Sequence, residues 1–529
     1  MLPSLMDANQ PAPFSDVNLF TSDRVLRQVL EAQGLDLAGH GLVAFGAVAG
    51  SADAQHLAEL ANTVTPVLHA YDRIGERLDA VEYHPAYHRL MALSAGQGLT
   101  FGAFEPGTGH LARAAGFYLA VQMEAGHCCP VTMTNAALAV LREGSGLAAD
   151  LARRAMVRDY DPRFLPAADK RAVTFGMGMT ERQGGSDVRT NTTRAVPAGD
   201  HHLVHGEKWF MSAPMSDAFL ILAQAPAGLS CFLLPRWLPD GRRNAIHFRR
   251  LKDKLGNRSN ASSEVLFDDA HGFLMGTEGR GIATIIEMVT RTRLDCAVSS
   301  AALARFALAV ALNHCRQRVV FGRPLIEQPL MRQVLADLAL EVEAATALVF
   351  RLAGAFDRQE ADPAEQSFAR LMTPAIKYWV CRTLPGLAFE AMECLGGNGY
   401  VEDWPLARLY REAPINAIWE GSGNIMCLDV QRAVRSNPEA LERVLDLSPL
   451  ASSAERALLE PLLEAESVSL RRDVERLVQV VAASLLARHA PGVVVDAYAR
   501  TRLESGGGRR YSLERPEIDA LIDRAMPQI

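Results

Sequence analysis

The spacing of apolar positions divides the chain into stretches of different period. Up to about residue 170, apolar residues recur at helical intervals in stretches such as 25–35, 54–68 and 111–124, which predicts helices and no sheet. The period changes at about Arg171. Segments 173–179, 202–209, 218–224, 229–234, 245–251 and 263–267 are short, strand-like and punctuated by Pro, Gly and Asp, as in a compact β domain. From about Gly279 the helical period returns in three long runs, 282–318, 328–356 and 363–395, joined by links carrying Gly322, Pro324, Asp362 and Pro363. With a fourth run opening near Ser422, they predict an antiparallel four-helix bundle. Beyond about Pro438 the pattern stays helical through Leu485. It breaks at Pro491-Gly492 and at Gly506-Gly507-Gly508-Arg509-Arg510, then ends in a short helix. The predicted architecture is mainly α with a β domain: helical over 1–172, a β barrel or sandwich over 173–278, a four-helix bundle over 279–437 and an extra helical domain over 438–529.

Composition changes this picture little. The 529 residues are 49% hydrophobic and 22% charged, ordinary for a multidomain globular chain. Lys and Arg total 54 against 61 Asp and Glu, so no global positive field draws the chain to nucleic acid or anionic lipid. The eight cysteines form no Cys-x-x-Cys pair, which suits reduced, buried thiols. His127-Cys128-Cys129 is the one local cluster, and with no second half visible no metal is expected. Residues 1–13 lack a basic patch followed by an apolar core, and no apolar run reaches a membrane span of roughly 18 residues. A cytoplasmic protein without a membrane segment is expected.

Three stretches carry candidate chemistry besides a fourth built around a single carboxylate. Phe175-Gly176-Met177-Gly178-Met179-Thr180-Glu181-Arg182-Gln183-Gly184-Gly185-Ser186-Asp187 follows a strand and sets four glycines beside Thr and Ser hydroxyls, which suits a flat ligand approached closely by backbone. It is not a dinucleotide fingerprint, because the third glycine position is Glu181. Arg316-Gln317-Arg318-Val319-Val320-Phe321-Gly322 ends one long helix, and Leu395-Gly396-Gly397-Asn398-Gly399-Tyr400 breaks another. Ile418-Trp419-Glu420-Gly421-Ser422-Gly423-Asn424 places one carboxylate in a glycine-flanked loop before a helix. Read locally, a carboxylate there could be a base, with the glycines allowing close backbone approach to a ligand, but a helix N-terminus with an acid complementing the dipole is the favoured local reading.

In this order the stretches resemble the acyl-CoA dehydrogenase family, over about residues 60–435. Met177 to Asp187, Leu251 to Ala261, His84-Pro85-Ala86-Tyr87-His88 and the Glu420 stretch look like its AidB-like branch, which is associated with the adaptive response to DNA alkylation and carries an extra C-terminal helical domain. The resemblance implies a tetramer with FAD in a crevice between the domains. It sets Met177, Met179, Thr180, Gly185 and Ser186 along the flavin, Phe210 and Ser212 beside the isoalloxazine, and Arg318 and Phe321 toward the cofactor of a neighbouring subunit. Gly396 and Gly397 fall by the pyrophosphate or adenosine part, and Trp419, Ser422 and Asn424 on the same FAD. Glu420 falls on the family's catalytic base, which removes the α-proton of an acyl thioester while a hydride leaves the β-carbon for flavin N5. Arg293 matches a substrate-site arginine. The alternative base position just before it is Thr292 here, leaving Glu420 as the candidate. The chain departs from the family at Thr290, where an Asp is usual, and at Pro329, where a Gln is usual.

Two activities follow from the resemblance: dehydrogenation of acyl-CoA, or binding of duplex DNA at alkylated sites through the C-terminal domain with little acyl-CoA turnover. It names no electron acceptor. From residue 440 onward there are twelve Arg, no Lys and fourteen Asp or Glu, which is no polybasic domain. Arg432, Arg509 and Arg510 are the candidate DNA contacts.

Overall fold

A computed structural model describes residues 9–142, 144–448, 450–464, 468–504 and 513–528. Helices α1 (Arg24–Ala32), α2 (Leu42–Ala49) and α3 (Ala52–Thr63) precede a hairpin of β1 (Val67–Tyr71) and β2 (Arg77–Glu82). Then come α4 (Pro85–Gly96), α5 (Gly109–Met123), α6 (Cys128–Leu141) and α7 (Leu147–Ala155). The hairpin corrects the expectation of no sheet before residue 170. Its first strand alternates exposed and half-buried positions, so it shows no apolar face, and Pro66 lies between the end of α3 and that strand.

The β domain comprises β3 (Phe175–Gly178), β4 (Arg194–Ala198), β5 (His201–Ser212), β6 (Ala218–Ala225), β7 (Gly228–Pro235), β8 (Ile246–Leu251) and β9 (Ser262–Met275). Strands β6, β4, β5, β9 and β7 close on themselves because β7 pairs with both β9 and β6; β3 adds to β6 and β8 to β9. A barrel results, and the run Ala218 to Ala223 on β6 is wholly buried. The hairpin docks on β8, where the Phe248 N–H donates to Asp79 at 2.8 Å.

The long helices are α8 (Gly281–Gln317), α9 (Pro329–Arg358), α10 (Pro363–Cys394) and, after the short α11 (Gly397–Tyr400) and α12 (Pro405–Glu412), α13 (Gly423–Ser436). Pro329 and Pro363 each open a helix, where a missing N–H costs nothing, and Asp362 caps the second by accepting from the Ala364 N–H at 2.8 Å. α8 is long and apolar enough to cross a bilayer by composition, with mean hydropathy 1.6 over 18 residues, but that window is entirely buried: it is a core helix. The remaining helices are α14 (Pro438–Asp446), α15 (Ser453–Leu458), α16 (Leu470–Leu486), α17 (Gly492–Tyr498) and α18 (Arg515–Ala525).

The chain forms two compact units. A helical unit comprises Met1–Ala52, His110–Met123 and Arg293–Ile529; a β-bearing unit comprises Asp53–Gly109 and Glu124–Thr292. In the helical unit α10 packs against α9 and α13, and α16 and α18 pack on α9. Buried and half-buried acids of α9 receive C-terminal arginines: Arg502 reaches Asp337 at 2.8 Å and Glu341 at 2.6 Å, and Arg524 reaches Glu343 at 2.5 Å. The C-terminal helices are thus folded onto the bundle rather than tethered beside it.

Candidate active site

In the β-bearing unit the glycine-rich turn leaves β3 and is anchored from below. Glu181 is buried; its carboxylate accepts from the Thr192 and Thr193 N–H groups at 2.6 and 3.1 Å and pairs with the buried Lys208 ammonium at 2.9 Å. Lys208 lies on β5, so one ion pair ties the turn to the strand that ends in Phe210 and Ser212. Burial pushes the Glu181 carboxyl up, but the Lys208 charge and the hydrogen bonds from Thr193, Thr192 and Lys208 bring it down to about 2. Above the pair, Met177, Met179, Thr180 and Gly185 are half-buried and Ser186 is exposed. A methyl group on Gly185 would run into the Thr180 side chain, so glycine is required for the turn to close on that hydroxyl.

Phe210 is 52% exposed, unusual for a phenyl ring at the end of a barrel strand. Lys252 stands 4.6 Å from its centroid and 3.5 Å from that of Trp209. Ser212 shares a hydrogen bond with Ser262 at 3.0 Å. An uncovered ring, a half-exposed hydroxyl and a glycine turn with no room for a Cβ fit the face of a flat cofactor such as a flavin.

In the helical unit Glu420 precedes α13 in the left-handed conformation, φ +58°, followed by Gly421 at φ +106°. It is not the helix cap. That place belongs to Ser422, whose hydroxyl makes no capping bond and is exposed together with Asn424. Trp419 is half-buried, its indole N–H donating to Asn416 at 2.9 Å, and Asn416 is held by Ser299 at 3.0 Å on α8. Arg293 donates through Nε to the Glu420 carbonyl at 3.0 Å and pairs with Asp429 at 2.8 Å. Lys377 on α10 donates to the carbonyls of Trp419 at 2.7 Å and Gly421 at 2.6 Å. Neither Lys377 nor Asp429 is singled out by sequence reasoning. The available signal was a lysine inside the apolar run Ala375 to Val380, since lysines are rarely buried unless paired.

The other predicted residues that the structure describes are also in the helical unit. Arg318 donates to the Asn9 carbonyl, Phe321 is 94% exposed at φ +53°, and Gly396 and Gly397 are exposed at the break before α11. Arg432 is exposed and lies 3.7 Å from Asp429. Arg509 and Arg510 lie outside the described residues. Of the other C-terminal arginines, Arg502 and Arg524 are buried in ion pairs, and Arg443, Arg456 and Arg500 pair with Glu439, Glu442 and Glu517. Thr290 and Thr292 each spend their hydroxyl on an α8 carbonyl, at 2.8 and 2.9 Å.

The His127 cluster is a hydrogen-bond network. His127 shares one ring nitrogen with Ser94 at 2.8 Å and the other with Glu124 at 2.9 Å; Glu124 also accepts from Asn62 at 3.0 Å and Ser259 at 2.9 Å.

The chain thus combines a helical bundle and a β barrel with a carboxylate on a strained loop before a bundle helix, and sequence comparison gives the class of protein this is. Residues 9–162 match the adaptive response protein AidB N-terminal domain, 176–270 the acyl-CoA dehydrogenase middle domain and 279–435 the acyl-CoA dehydrogenase C-terminal domain. The chain is 45% identical to AidB of Escherichia coli (strain K12) over 97% of each sequence. Among solved structures it is similar to Caenorhabditis elegans ACDH-11 in complex with C11-CoA, with TM-score 0.82, 27% identity and coverage of 98% and 92% of the two chains. It is also similar to Bd2924 in its apo form, with TM-score 0.83, 28% identity and coverage of 91% and 99%. The chain belongs to the acyl-CoA dehydrogenase family, in its AidB-like branch, and is an oxidoreductase of that type.

Proposed function

We propose that the protein binds FAD and oxidises acyl-CoA thioesters between the α- and β-carbons, with Glu420 as the base. Bound FAD supplies the acceptor for the hydride that leaves the β-carbon. The chain's own residues do the rest. The Glu420 carboxylate takes the α-proton, and the electron pair of that C–H bond becomes the new C=C bond. The Glu420 N–H polarises the thioester carbonyl, without which the α-proton is too weakly acidic for a carboxylate. Thr180 and Ser212 offer hydroxyls to the flavin edge, Phe210 covers one part of its ring, and the turn from Met177 to Ser186 gives close backbone approach. Arg318 and Phe321 reach the cofactor of a neighbouring copy in a homotetramer, a reading supported by the exposure of Phe321 together with Leu330 at 84% and Tyr400 at 79%.

The observation that carries the reading is the conformation of Glu420. A non-glycine residue held at positive φ costs on the order of 1–3 kcal/mol and persists where the surroundings over-determine it; here Arg293 holds the Glu420 carbonyl and Lys377 the carbonyls on either side. The C11-CoA bound to the C. elegans neighbour supports an acyl-CoA ligand. Purified protein is expected to show the flavin absorption spectrum and to bleach anaerobically with at least one member of a straight- and branched-chain acyl-CoA panel. A colourless protein that gains no flavin spectrum with added FAD contradicts the cofactor; a flavoprotein that no acyl-CoA bleaches contradicts the substrate.

A further inference from the structure

We propose that Lys377 is a positioning residue for this reaction: with Arg293 it locks the peptide groups of the Glu420 loop so that their N–H groups face the thioester carbonyl. The inference rests on the acyl-CoA reading above and deepens it. Three consecutive carbonyls, those of Trp419, Glu420 and Gly421, all accept hydrogen bonds from cations of the bundle: Lys377, Arg293 and Lys377 again, at 2.7, 3.0 and 2.6 Å. Lys377 is 1% exposed, and both of its bonds in that set go to this one loop. A buried ammonium is costly unless it is paired or hydrogen-bonded. Here its bonds go to neutral carbonyls, while Asp429 pairs with Arg293 at 2.8 Å and Arg370 at 2.9 Å. A cation spent on backbone in this way fixes a conformation.

The conformation it fixes has a direction. A trans peptide is planar, with its C=O and N–H pointing opposite ways. Drawing the Trp419 carbonyl onto Lys377 therefore turns the Glu420 N–H away from α10, and drawing the Glu420 carbonyl onto Arg293 turns the Gly421 N–H away from α8. The left-handed turn at Glu420, φ +58°, lets the carbonyls on either side of it reach the same ammonium. Charge on Lys377 also polarises both peptides and strengthens the N–H donors at their far ends. Donors fixed in advance at the position where negative charge develops are the most effective kind, because no reorganisation accompanies the reaction.

The test separates recognition of the carbonyl from binding of the rest of the ligand. Holoprotein in a Glu420→Gln background, where proton removal is blocked, is titrated with undecanoyl-CoA and with S-undecyl-CoA, a thioether that lacks only the carbonyl oxygen. The Glu420→Gln protein is expected to prefer the thioester by about 10-fold, the worth of one good hydrogen bond. Adding Lys377→Met is expected to reduce that preference to within about two-fold while the thioether affinity stays unchanged, and Lys377→Arg to restore part of it. If Lys377→Met does not fold, Lys377→Gln, which keeps a donor without charge, is expected to show an intermediate preference. Equal weakening of both ligands, or an undiminished preference without the lysine, overturns the inference and leaves the acyl-CoA reading standing. Failure of both ligands to bind the parent protein overturns that reading and this one together.

Discussion

The Lys208 ammonium lies 2.9 Å from the Glu181 carboxylate with both side chains fully enclosed, and this pair joins the glycine-rich turn to the strand bearing Phe210 and Ser212. Removing one partner leaves the other charge buried and unpaired. Lys208→Met is expected to cost about 3–5 kcal/mol in urea unfolding followed by tryptophan fluorescence. It should also lower flavin content, because Thr180 precedes Glu181 directly. The double replacement Lys208→Met, Glu181→Leu should be less destabilised than the single one; equal loss in both would show that the pair is not what holds the turn.

Gly185→Ala tests the turn without touching a charge. The new methyl group meets the Thr180 side chain, so Thr180 must move. The expected result is a folded protein with unchanged circular dichroism that retains less FAD through gel filtration. Full retention would remove Thr180 from the cofactor contacts.

The pH dependence of stability follows from Glu124. Burial raises its carboxyl, but the side-chain hydrogen bond and charge of His127, its N–H and Asn62 outweigh this and bring it from 4.5 to about 2. A carboxylate with a depressed folded pKa binds fewer protons than in the unfolded chain, so its contribution is complete above 4.5 and is lost as the pH falls toward 2. Glu124→Gln should lower stability at neutral pH and flatten the acid limb of the denaturation midpoint against pH. An acid limb of unchanged slope would contradict the assignment.

Asp429 tests the support of the Glu420 loop. It pairs with Arg293 and Arg370, and Asp429→Asn frees Arg293 to leave the Glu420 carbonyl. Reduction of the flavin by acyl-CoA should slow by about 10- to 100-fold, as for misplacement of a reacting group by a fraction of an ångström, with flavin content unchanged. An unaltered rate would show that Lys377 alone suffices.

Much of the fold is legible in the sequence because it is periodic. The runs at 282–318, 328–356 and 363–395 end within a few residues of α8, α9 and α10, and the apolar block on β6 reads directly as a buried strand. β4 escapes because Arg194–Ala198 contains Pro197 and buries a single residue, and β1 and β2 because their hairpin buries only Val81 and the polar Asp79, which is held by β8. Within the site, Glu420 is visible through the order of the glycine-bearing stretches around it. Lys377 is not, because its partners are backbone carbonyls 42 and 44 residues away, which leave no trace in any side chain. Arg293 resembles a substrate residue in sequence, and its guanidinium holds the Glu420 carbonyl and Asp429, contacts that leave no trace in the spacing.

Removal of the substrate's α-proton by Glu420 is decided by anaerobic titration of the Glu420→Gln flavoprotein with an acyl-CoA that bleaches the wild type. Full flavin content, retained binding of the thioester and no bleaching are expected. Bleaching at the wild-type rate in the Gln variant would contradict it.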